Sequence, residues 1–288
     1  MPDVALSMIV RNEAKMLRGC LESLRGVVQE MVIADTGSAD ETAQIAREFG
    51  ARVLNIPWEN DFAAARNRAL EGITSEWILS LDADERLDAE SVSAIASAIG
   101  GRPAAYQVTI RNYVLSLEDR IWDRPAQPND NRLAEARAYP AFVNHENVRL
   151  FRRAPEIYFV GRVHESVGPQ VQASGLPLGQ ASFLIHHLGL TADEHTRANK
   201  NILYRELGRK KVLECPQNAQ AHLELGLVEL DNFGNLSEAL ACFEKACVLN
   251  SRFGVAWFFG GVTELRRGRP GPALSLLKRA EECGHRTA

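Results

Sequence analysis

The chain has 288 residues, which suits two domains or one large α/β domain with an appendage. Hydrophobic residues make up 45% and charged residues 24%, and the formal net charge of −4 argues against nucleic acid as the main partner. No segment approaches the roughly 18 to 20 apolar residues of a membrane span, and no basic signal-peptide region opens the chain. The five cysteines have no Cys-x-x-Cys spacing, which indicates reduced thiols. We therefore expect a cytoplasmic protein.

Short apolar runs alternate with helical patterns over the first hundred residues. The apolar runs predict strands at 4–10, 31–34, 51–56 and 77–81. Apolar residues at helical spacing predict helices around 17–24, 42–49, 62–73 and 92–99. Ser38-Ala39-Asp40-Glu41 predicts a capping box, and Asp61 predicts the cap of the third helix. This alternation is typical of an α/β fold with a mostly parallel sheet and helices on both faces, in which ligands bind beyond the carboxyl ends of the strands.

The middle of the chain is less regular. A polar segment at about 112–145 contains Pro125 and Pro128 and predicts a mobile loop or lid. After it, a pattern repeats every 34 residues: Leu225-Gly226 returns as Phe259-Gly260, and Ala239-Leu240 returns as Ala273-Leu274. This period resembles the tetratricopeptide repeat, and a helix near 196–213 is expected to pack beneath the repeats. The predicted domains are therefore 1–192 and 193–288.

The acidic turn Asp82-Ala83-Asp84 follows the apolar strand that ends at Leu81. Two carboxylates one residue apart can share a divalent cation, or one can bind the metal and the other a ribose. Oxygen ligands favour Mg²⁺ or Mn²⁺, and such a metal would neutralise a diphosphate leaving group. A solvated acidic turn is the alternative interpretation.

Several other polar residues are candidates for the same site. Asp35 closes the second strand and can bind a base or a ribose, and with Ser38 as the helix cap it stays available for ligand. Arg66, followed by Asn67, can pair with a diphosphate or brace an aspartate. Glu165 can act as a general base, and a histidine can complete a metal site, although histidines on apolar strands are usually structural.

These motifs together resemble family 2 glycosyltransferases of the GT-A fold. The resemblance is carried by Ser7 to Glu13, Val32 to Asp40, Trp58 to Asn67 and Trp77 to Glu85, in matching order and spacing. Later blocks at 149–153, 161–165 and 187–191 resemble the subgroup with C-terminal tetratricopeptide repeats, similar to the bacteriocin S-glycosyltransferases of the SunS type. One departure is Leu190, where the family usually has Tyr.

The resemblance implies a metal-dependent enzyme that inverts the anomeric centre and takes a nucleotide sugar, with a UDP-sugar as the expected donor and Mn²⁺ or Mg²⁺ as the cofactor. Within this scheme we choose Glu165 as the general base, because it lies after the predicted sheet and well beyond Asp82-Ala83-Asp84. The implied donor-binding residues are Val10, Arg11, Asn12, Glu13, Asp35, Thr36, Gly37, Ser38, Arg66, Asn67, Asp82 and Ala83. The implied metal ligands are Asp82, Asp84 and His187, and the neighbouring His186 leaves the choice of histidine open.

The acceptor is not named by the sequence. Stacked helix pairs form concave peptide-binding surfaces, so the repeats favour a peptide or protein acceptor. Alternatively, they dimerise the enzyme or stabilise the first domain. A polysaccharide or lipid-linked acceptor, an inactive repeat scaffold and a nucleotidyltransferase are the other functions to be tested.

Overall fold

The computed structural model describes residues 3–121, 124–189 and 194–285, without the side chains of residues 194–197. The chain divides into two compact units, 1–191 and 192–288. The family departure at Leu190 lies outside the described residues. Among the described residues, no helix is both long and apolar enough to cross a membrane.

The first unit is built on a nine-stranded sheet with strand order β3-β2-β1-β4-β10-β6-β11-β5, in which β9 also pairs with β10. Its strands are β1 (Val4–Val10), β2 (Glu30–Asp35), β3 (Arg52–Asn55), β4 (Trp77–Ser80), β5 (Glu85–Arg86), β6 (Ala105–Val114), β9 (Gln127–Pro128), β10 (Ala141–Arg152) and β11 (Leu178–His187). The first four strands are parallel, whereas β10 runs antiparallel to both β4 and β6. A small separate hairpin pairs β7 (Arg120–Ile121) with β8 (Arg124–Pro125).

Helices cover both faces of this sheet, as the alternating pattern predicts. They are α1 (Ala14–Ser23), α2 (Thr42–Glu48), α3 (Phe62–Glu71), α4 (Ala89–Ile99) and α5 (Gly168–Ala173). Leu6 of β1 packs with Leu17 of α1 on one face, while its neighbour Ala5 packs with Ala69 of α3 on the other. Successive strand residues point to opposite faces, so one continuously apolar strand contributes to both cores.

Two predicted helix starts have different outcomes. Asp61 caps α3 as predicted, because its Oδ1 accepts from the Ala64 N–H at 2.9 Å. The capping box at Ser38 to Glu41 is wrong: Glu41 precedes α2 without a capping side-chain bond, and Ser38 Oγ instead accepts from the Asn12 N–H. A hydrogen bond from a neighbouring loop has replaced the local one that the sequence pattern predicts.

The irregular segment in the middle of the chain is shorter than the predicted 112–145. Residues 112–114 belong to β6, and residues from Ala141 onward belong to β10. Between these strands, β7, β8 and β9 are followed by a 3₁₀ turn at Ala134–Ala136, which places Ala136 in a small core with Tyr113 and Leu188. This turn is therefore packed into the first unit, to which it belongs.

The second unit is entirely helical within its described residues. It contains α6 (Glu194–Glu214), α7 (Ala219–Leu227), a π-helical turn (Val228–Asn232), α8 (Leu236–Leu249), α9 (Gly254–Arg266) and α10 (Pro270–Glu282). A Cβ on Gly226 would come within 2.5 Å of the Phe243 ring, so this glycine lets α7 and α8 approach closely. The two helix pairs, α7 with α8 and α9 with α10, agree with the tetratricopeptide-like repeat in the sequence.

Candidate functional site

Two loops meet at the carboxyl ends of β1 and β2. Ser38 Oγ accepts from the Asn12 N–H at 3.0 Å, and Asn12 Oδ1 accepts from the Ala39 N–H at 2.8 Å. The N–H and the hydroxyl of Thr36 both donate to the Val10 carbonyl. Asn12 has a left-handed backbone with φ of 56°. The two segments predicted to hold the nucleoside are thus joined by hydrogen bonds that fix the shape of both loops.

Asp35 and Glu13 lie at the same edge but are already engaged. Asp35 is buried, and its Oδ1 accepts from the N–H groups of Gly37 and Ser38 at 3.0 and 2.7 Å. Oδ1 of Asp35 is thus used within its own loop, and the binding of a ligand by Asp35 stays a prediction. The Glu13 N–H donates to Thr42 Oγ1 at 2.7 Å. Arg11 is exposed beside them.

Arg66 holds two carboxylates from distant parts of the chain. Its NH2 group donates to Asp82 Oδ1 and its Nε to Glu165 Oε1, each at 2.6 Å. The Arg66 side chain is 7% exposed and that of Glu165 is 12% exposed, whereas that of Asp82 is 35% exposed. Arg66 thus braces Asp82, and its pairing with a diphosphate stays a prediction.

Arg149 is a second arginine at the acidic turn, and the sequence reasoning gave it no role. It donates to Glu85 Oε1 at 2.8 Å and lies 3.4 Å from Asp82 Oδ2. Glu85 Oε2 accepts from the Asp82 N–H at 2.8 Å, which closes the turn. Burial raises the pKa of Glu85 to about 7 although Arg149 opposes the shift. Burial acts in the same direction on Asp82, but Arg66 and Arg149 outweigh it and hold its pKa well below the usual range.

Asp84 faces a histidine rather than an arginine. Its Oδ2 lies 3.2 Å from His187 Nε2, and the two side chains are 21% and 32% exposed. Burial alone would lower the pKa of His187, but the hydrogen bond and the charge of Asp84 raise it. A Cβ on Gly189 would lie 2.5 Å from His187 Nε2 and 2.9 Å from Asp84 Oδ2. Gly189 therefore packs closely against both groups, and a side chain at this position would displace them.

The neighbouring His186 has a different environment. It is fully buried, with Nδ1 2.8 Å from the Tyr113 hydroxyl and Nε2 3.1 Å from Asp88 Oδ2. Asp88 also caps α4 by accepting from the Ser91 N–H at 2.7 Å, and it pairs with Arg132. Both imidazole nitrogens of His186 are therefore occupied inside the fold, whereas His187 reaches the site surface.

Two predicted donor-binding residues have mainly structural contacts. Asn67 exchanges two hydrogen bonds with the backbone of Phe159, at 2.9 and 2.8 Å. The Ala83 side chain lies in the core, and its carbonyl accepts from Arg86 at 3.0 Å. Their assignment to donor binding stays a prediction.

The fit of a divalent cation depends on Asp84 and His187. Across the described ranges, no three His, Cys, Asp or Glu side chains form a complete metal cage. Both oxygens of Asp82 are directed at arginines, which leaves the Asp84 carboxylate and the His187 imidazole as candidate ligands. Mg²⁺ and similar ions usually take one or two protein ligands and complete their shell with water and substrate phosphates. The residues present therefore fit a cation of this type.

The arrangement defines an α/β protein with a polar site at the carboxyl ends of its parallel strands, and comparison with known proteins agrees with this class. Crystal structures of Staphylococcus aureus TarS 1–349 share the fold: the one with UDP-GlcNAc superposes with a TM-score of 0.51 at 14% identity, covering 97% of this chain and 92% of TarS 1–349. The fold is therefore GT-A.

The sequence comparisons then give the family. The family model described as Glycosyl transferase family 2 matches residues 6–157, which is more than half of the chain. The chain belongs to glycosyl transferase family 2.

Two curated relatives extend this result. A TPR repeat-containing protein of Synechococcus elongatus is 39% identical over 173 residues, covering 60% of this chain and 37% of the relative. The prophage-derived glycosyltransferase SunS of Bacillus subtilis is 28% identical over 209 residues, covering 70% of this chain and 44% of SunS. The chain thus spans less than half the length of these relatives.

Proposed function

We propose that this protein is a metal-dependent glycosyltransferase that transfers a sugar from a nucleoside diphosphate to an acceptor with inversion. The main support for the proposal is that the two aspartates of the acidic turn have different partners. Asp82 is braced by Arg66 and Arg149, while Asp84 lies 3.2 Å from a histidine that reaches the surface. Family membership makes glycosyl transfer the chemistry to test first.

The chain's own residues would have distinct tasks in this reaction. The loops at Asn12 and Ser38 would bind the nucleoside, and Arg66 and Arg149 would keep the acidic turn in position. Glu165 would take a proton from the acceptor nucleophile, which then bonds to the anomeric carbon as the bond to the diphosphate oxygen breaks. Since the nucleophile enters opposite the leaving group, the configuration inverts. Glu165 Oε1 already pairs with Arg66, so the proton would go to the second oxygen.

Asp84 and His187 would hold Mn²⁺ or Mg²⁺. When bound, this cation supplies positive charge to the departing diphosphate. The acidic residues Asp82, Asp84, Glu85 and Glu165 outnumber Arg66 and Arg149, so the site favours a divalent cation, which would in turn offset the negative charge of a bound diphosphate.

We propose a UDP-sugar as the donor, because TarS, which shares the fold, has been solved with UDP-GlcNAc. The test is thermal-shift and calorimetric binding of UDP, GDP and dTDP, each with and without Mn²⁺. We expect UDP to stabilise the protein with Mn²⁺ present, and Asp84→Asn to remove that metal dependence. Binding of none of the three would contradict the proposal and favour an inactive scaffold.

The product of donor cleavage separates two enzyme classes. A glycosyltransferase releases the nucleoside diphosphate, whereas a nucleotidyltransferase releases pyrophosphate. We expect UDP from a UDP-sugar, and pyrophosphate release from a nucleoside triphosphate and a sugar phosphate would contradict the proposal. The anomeric configuration of the product, read by proton NMR, tests inversion directly.

For the acceptor, we propose a peptide or protein held by the repeat unit. The support is the helical architecture of α7 to α10, since stacked helix pairs present extended surfaces to peptides. A peptide-array transfer assay with labelled donor tests this. Transfer only to a polysaccharide or lipid-linked acceptor would contradict it, and light scattering would show whether the repeats instead form the predicted homodimer.

A further inference from the structure

We propose that Asn112 is a positioning residue that orients His187 and selects the ring nitrogen presented to the metal, an inference that rests on the proposed function. Asn112 lies on β6, opposite His187 of β11 and opposite Val143 of β10. It is 9% exposed. Asparagine is uncommon in strand interiors, and a buried amide needs hydrogen-bond partners.

The orientation of the Asn112 amide follows from one contact. A carbonyl oxygen can only accept a hydrogen bond, so the amide atom 3.1 Å from the Val143 carbonyl is the donor Nδ2. The other amide atom, Oδ1, then lies 2.8 Å from His187 Nδ1. Because Oδ1 can only accept, His187 Nδ1 must carry a proton to make this bond.

A second histidine supports the same orientation. His145 Nδ1 lies 2.6 Å from Asn112 Nδ2 and can accept from it. Burial, with the charges of Arg149 and His187, lowers the pKa of His145 to about 4, so this ring is neutral near pH 7 and has an acceptor nitrogen. Both Val143 and His145 thus hold Nδ2 on the side of Asn112 away from His187.

The consequence for His187 lies at its other nitrogen. With the Nδ1 proton held by Asn112, Nε2 is the ring nitrogen that can give up its proton and offer a lone pair to a cation beside Asp84, whose Oδ2 lies 3.2 Å away. A protein-held proton on the distal nitrogen is the usual way to fix the tautomer and ring angle of a metal-binding histidine. Asn112 therefore makes His187 a ready ligand without contacting the metal itself.

Two measurements test the role of Asn112. The first is Mn²⁺ affinity, measured by calorimetry in the presence of UDP, for Asn112→Leu and for the control Gln107→Leu. Gln107 is on the same strand, and its side chain donates to Glu146 at an exposed position. We expect Asn112→Leu to weaken Mn²⁺ binding by about 10- to 100-fold and Gln107→Leu to leave it unchanged.

The second measurement uses the unaltered protein, so it does not depend on whether a variant folds. Nitrogen-15 NMR of labelled histidine with diamagnetic Mg²⁺ and UDP reports which nitrogen of His187 carries the proton. We expect protonated Nδ1 and unprotonated Nε2, and the opposite pattern would overturn the inference. If Asn112 were needed only for stability, it would not hold the His187 proton on Nδ1.

The outcomes separate the inference from the proposed function. If the unaltered protein binds UDP and Mn²⁺ but Asn112→Leu binds Mn²⁺ equally well, the role of Asn112 is overturned and the function survives. If the unaltered protein binds no metal under any condition, both fail. Reduced Mn²⁺ affinity in Asn112→Leu with unchanged metal-free UDP binding supports both.

Discussion

The two ends of the acidic turn differ in the kind of partner that each carboxylate has. On one side, Asp82 is paired with Arg66 and Arg149, whose charges are permanent. On the other, Asp84 faces His187, whose imidazole can lose a proton and offer a lone pair. Two aspartates one residue apart in sequence can therefore have separate tasks, one holding the turn and the other binding a cation.

The largest effect should come from removing the arginine that braces the turn. Arg66→Leu leaves Glu165 without its buried ion-pair partner and Asp82 with only the longer contact to Arg149, and we expect it to lower the free energy of unfolding by about 3 kcal/mol. Urea denaturation measures this. Arg68→Leu is the matched control, because Arg68 forms only an exposed ion pair with Glu71 and should change stability by less than about 0.5 kcal/mol. Equal effects of the two variants would contradict the bracing role.

The next effect separates the two aspartates. We expect Asp84→Asn to reduce metal-dependent donor cleavage by about 100-fold or more while thermal stability stays near that of the unaltered protein. Asp82→Asn should instead lower stability, because Arg66 and Arg149 lose a charged partner. Melting temperatures and donor-cleavage rates of both variants check the contrast. Full activity in Asp84→Asn would remove the basis for a metal at that residue.

A smaller effect should come from adding a side chain at Gly189, which packs closely against Asp84 and His187. The added Cβ in Gly189→Ala would intrude against both side chains, so we expect Mn²⁺ affinity to fall about 10-fold with little change in stability. Gly271→Ala is the control, since nothing lies within 4 Å of its added Cβ. Unchanged Mn²⁺ binding in Gly189→Ala would show that cation binding does not depend on the positions of Asp84 and His187 beside Gly189.

The smallest effect should come from removing the charge of Asp88, which contacts the buried His186. Burial acts to raise the pKa of Asp88, but the bonds from Arg132, Ser91 and His186 hold it well below its usual range. A lowered pKa in the folded state means that this stabilisation is present above about pH 4 and is lost as the pH falls below that value. Asp88→Asn keeps a helix-capping side chain but loses the charge. We therefore expect a loss of about 1 kcal/mol at pH 7 that shrinks in acid.

The check for Asp88→Asn is urea denaturation at several pH values, with Mn²⁺ binding measured in parallel. Metal affinity should stay unchanged, because His186 and its partners lie inside the fold. A loss of Mn²⁺ binding in this variant would show that the two histidine environments are not separate.

Much of the first half of the fold could be predicted from the sequence. The apolar runs mark β1 and β4, and apolar residues at helical spacing mark α1 and α3. Each of these elements buries the residues that form its pattern. The pairing of β10 with both β4 and β6 could not be predicted, since alternation gives the face of a strand but not its neighbour. The capping box failed because Ser38 bonds to Asn12, which lies 26 residues earlier.

Site residues within a local sequence motif could be predicted from the sequence. Site residues that come from distant parts of the chain could not. Asp82 and Asp84 stand out beside an apolar strand, whereas Arg149 is 67 residues away from Asp82 and resembles any charged strand residue. Asn112 gives a weak signal as a polar residue within a strand. Its role depends on the register of β6 with β10 and β11, which only the folded structure provides.

The most direct test of the division between Asp82 and Asp84 is a crystal structure with UDP and Mn²⁺, with the metal located by anomalous scattering. We expect the ion to bind a carboxylate oxygen of Asp84 and Nε2 of His187, with Asp82 still paired to Arg66. An ion held between Asp82 and Asp84 with Arg66 displaced, or one bound away from His187, would contradict the account.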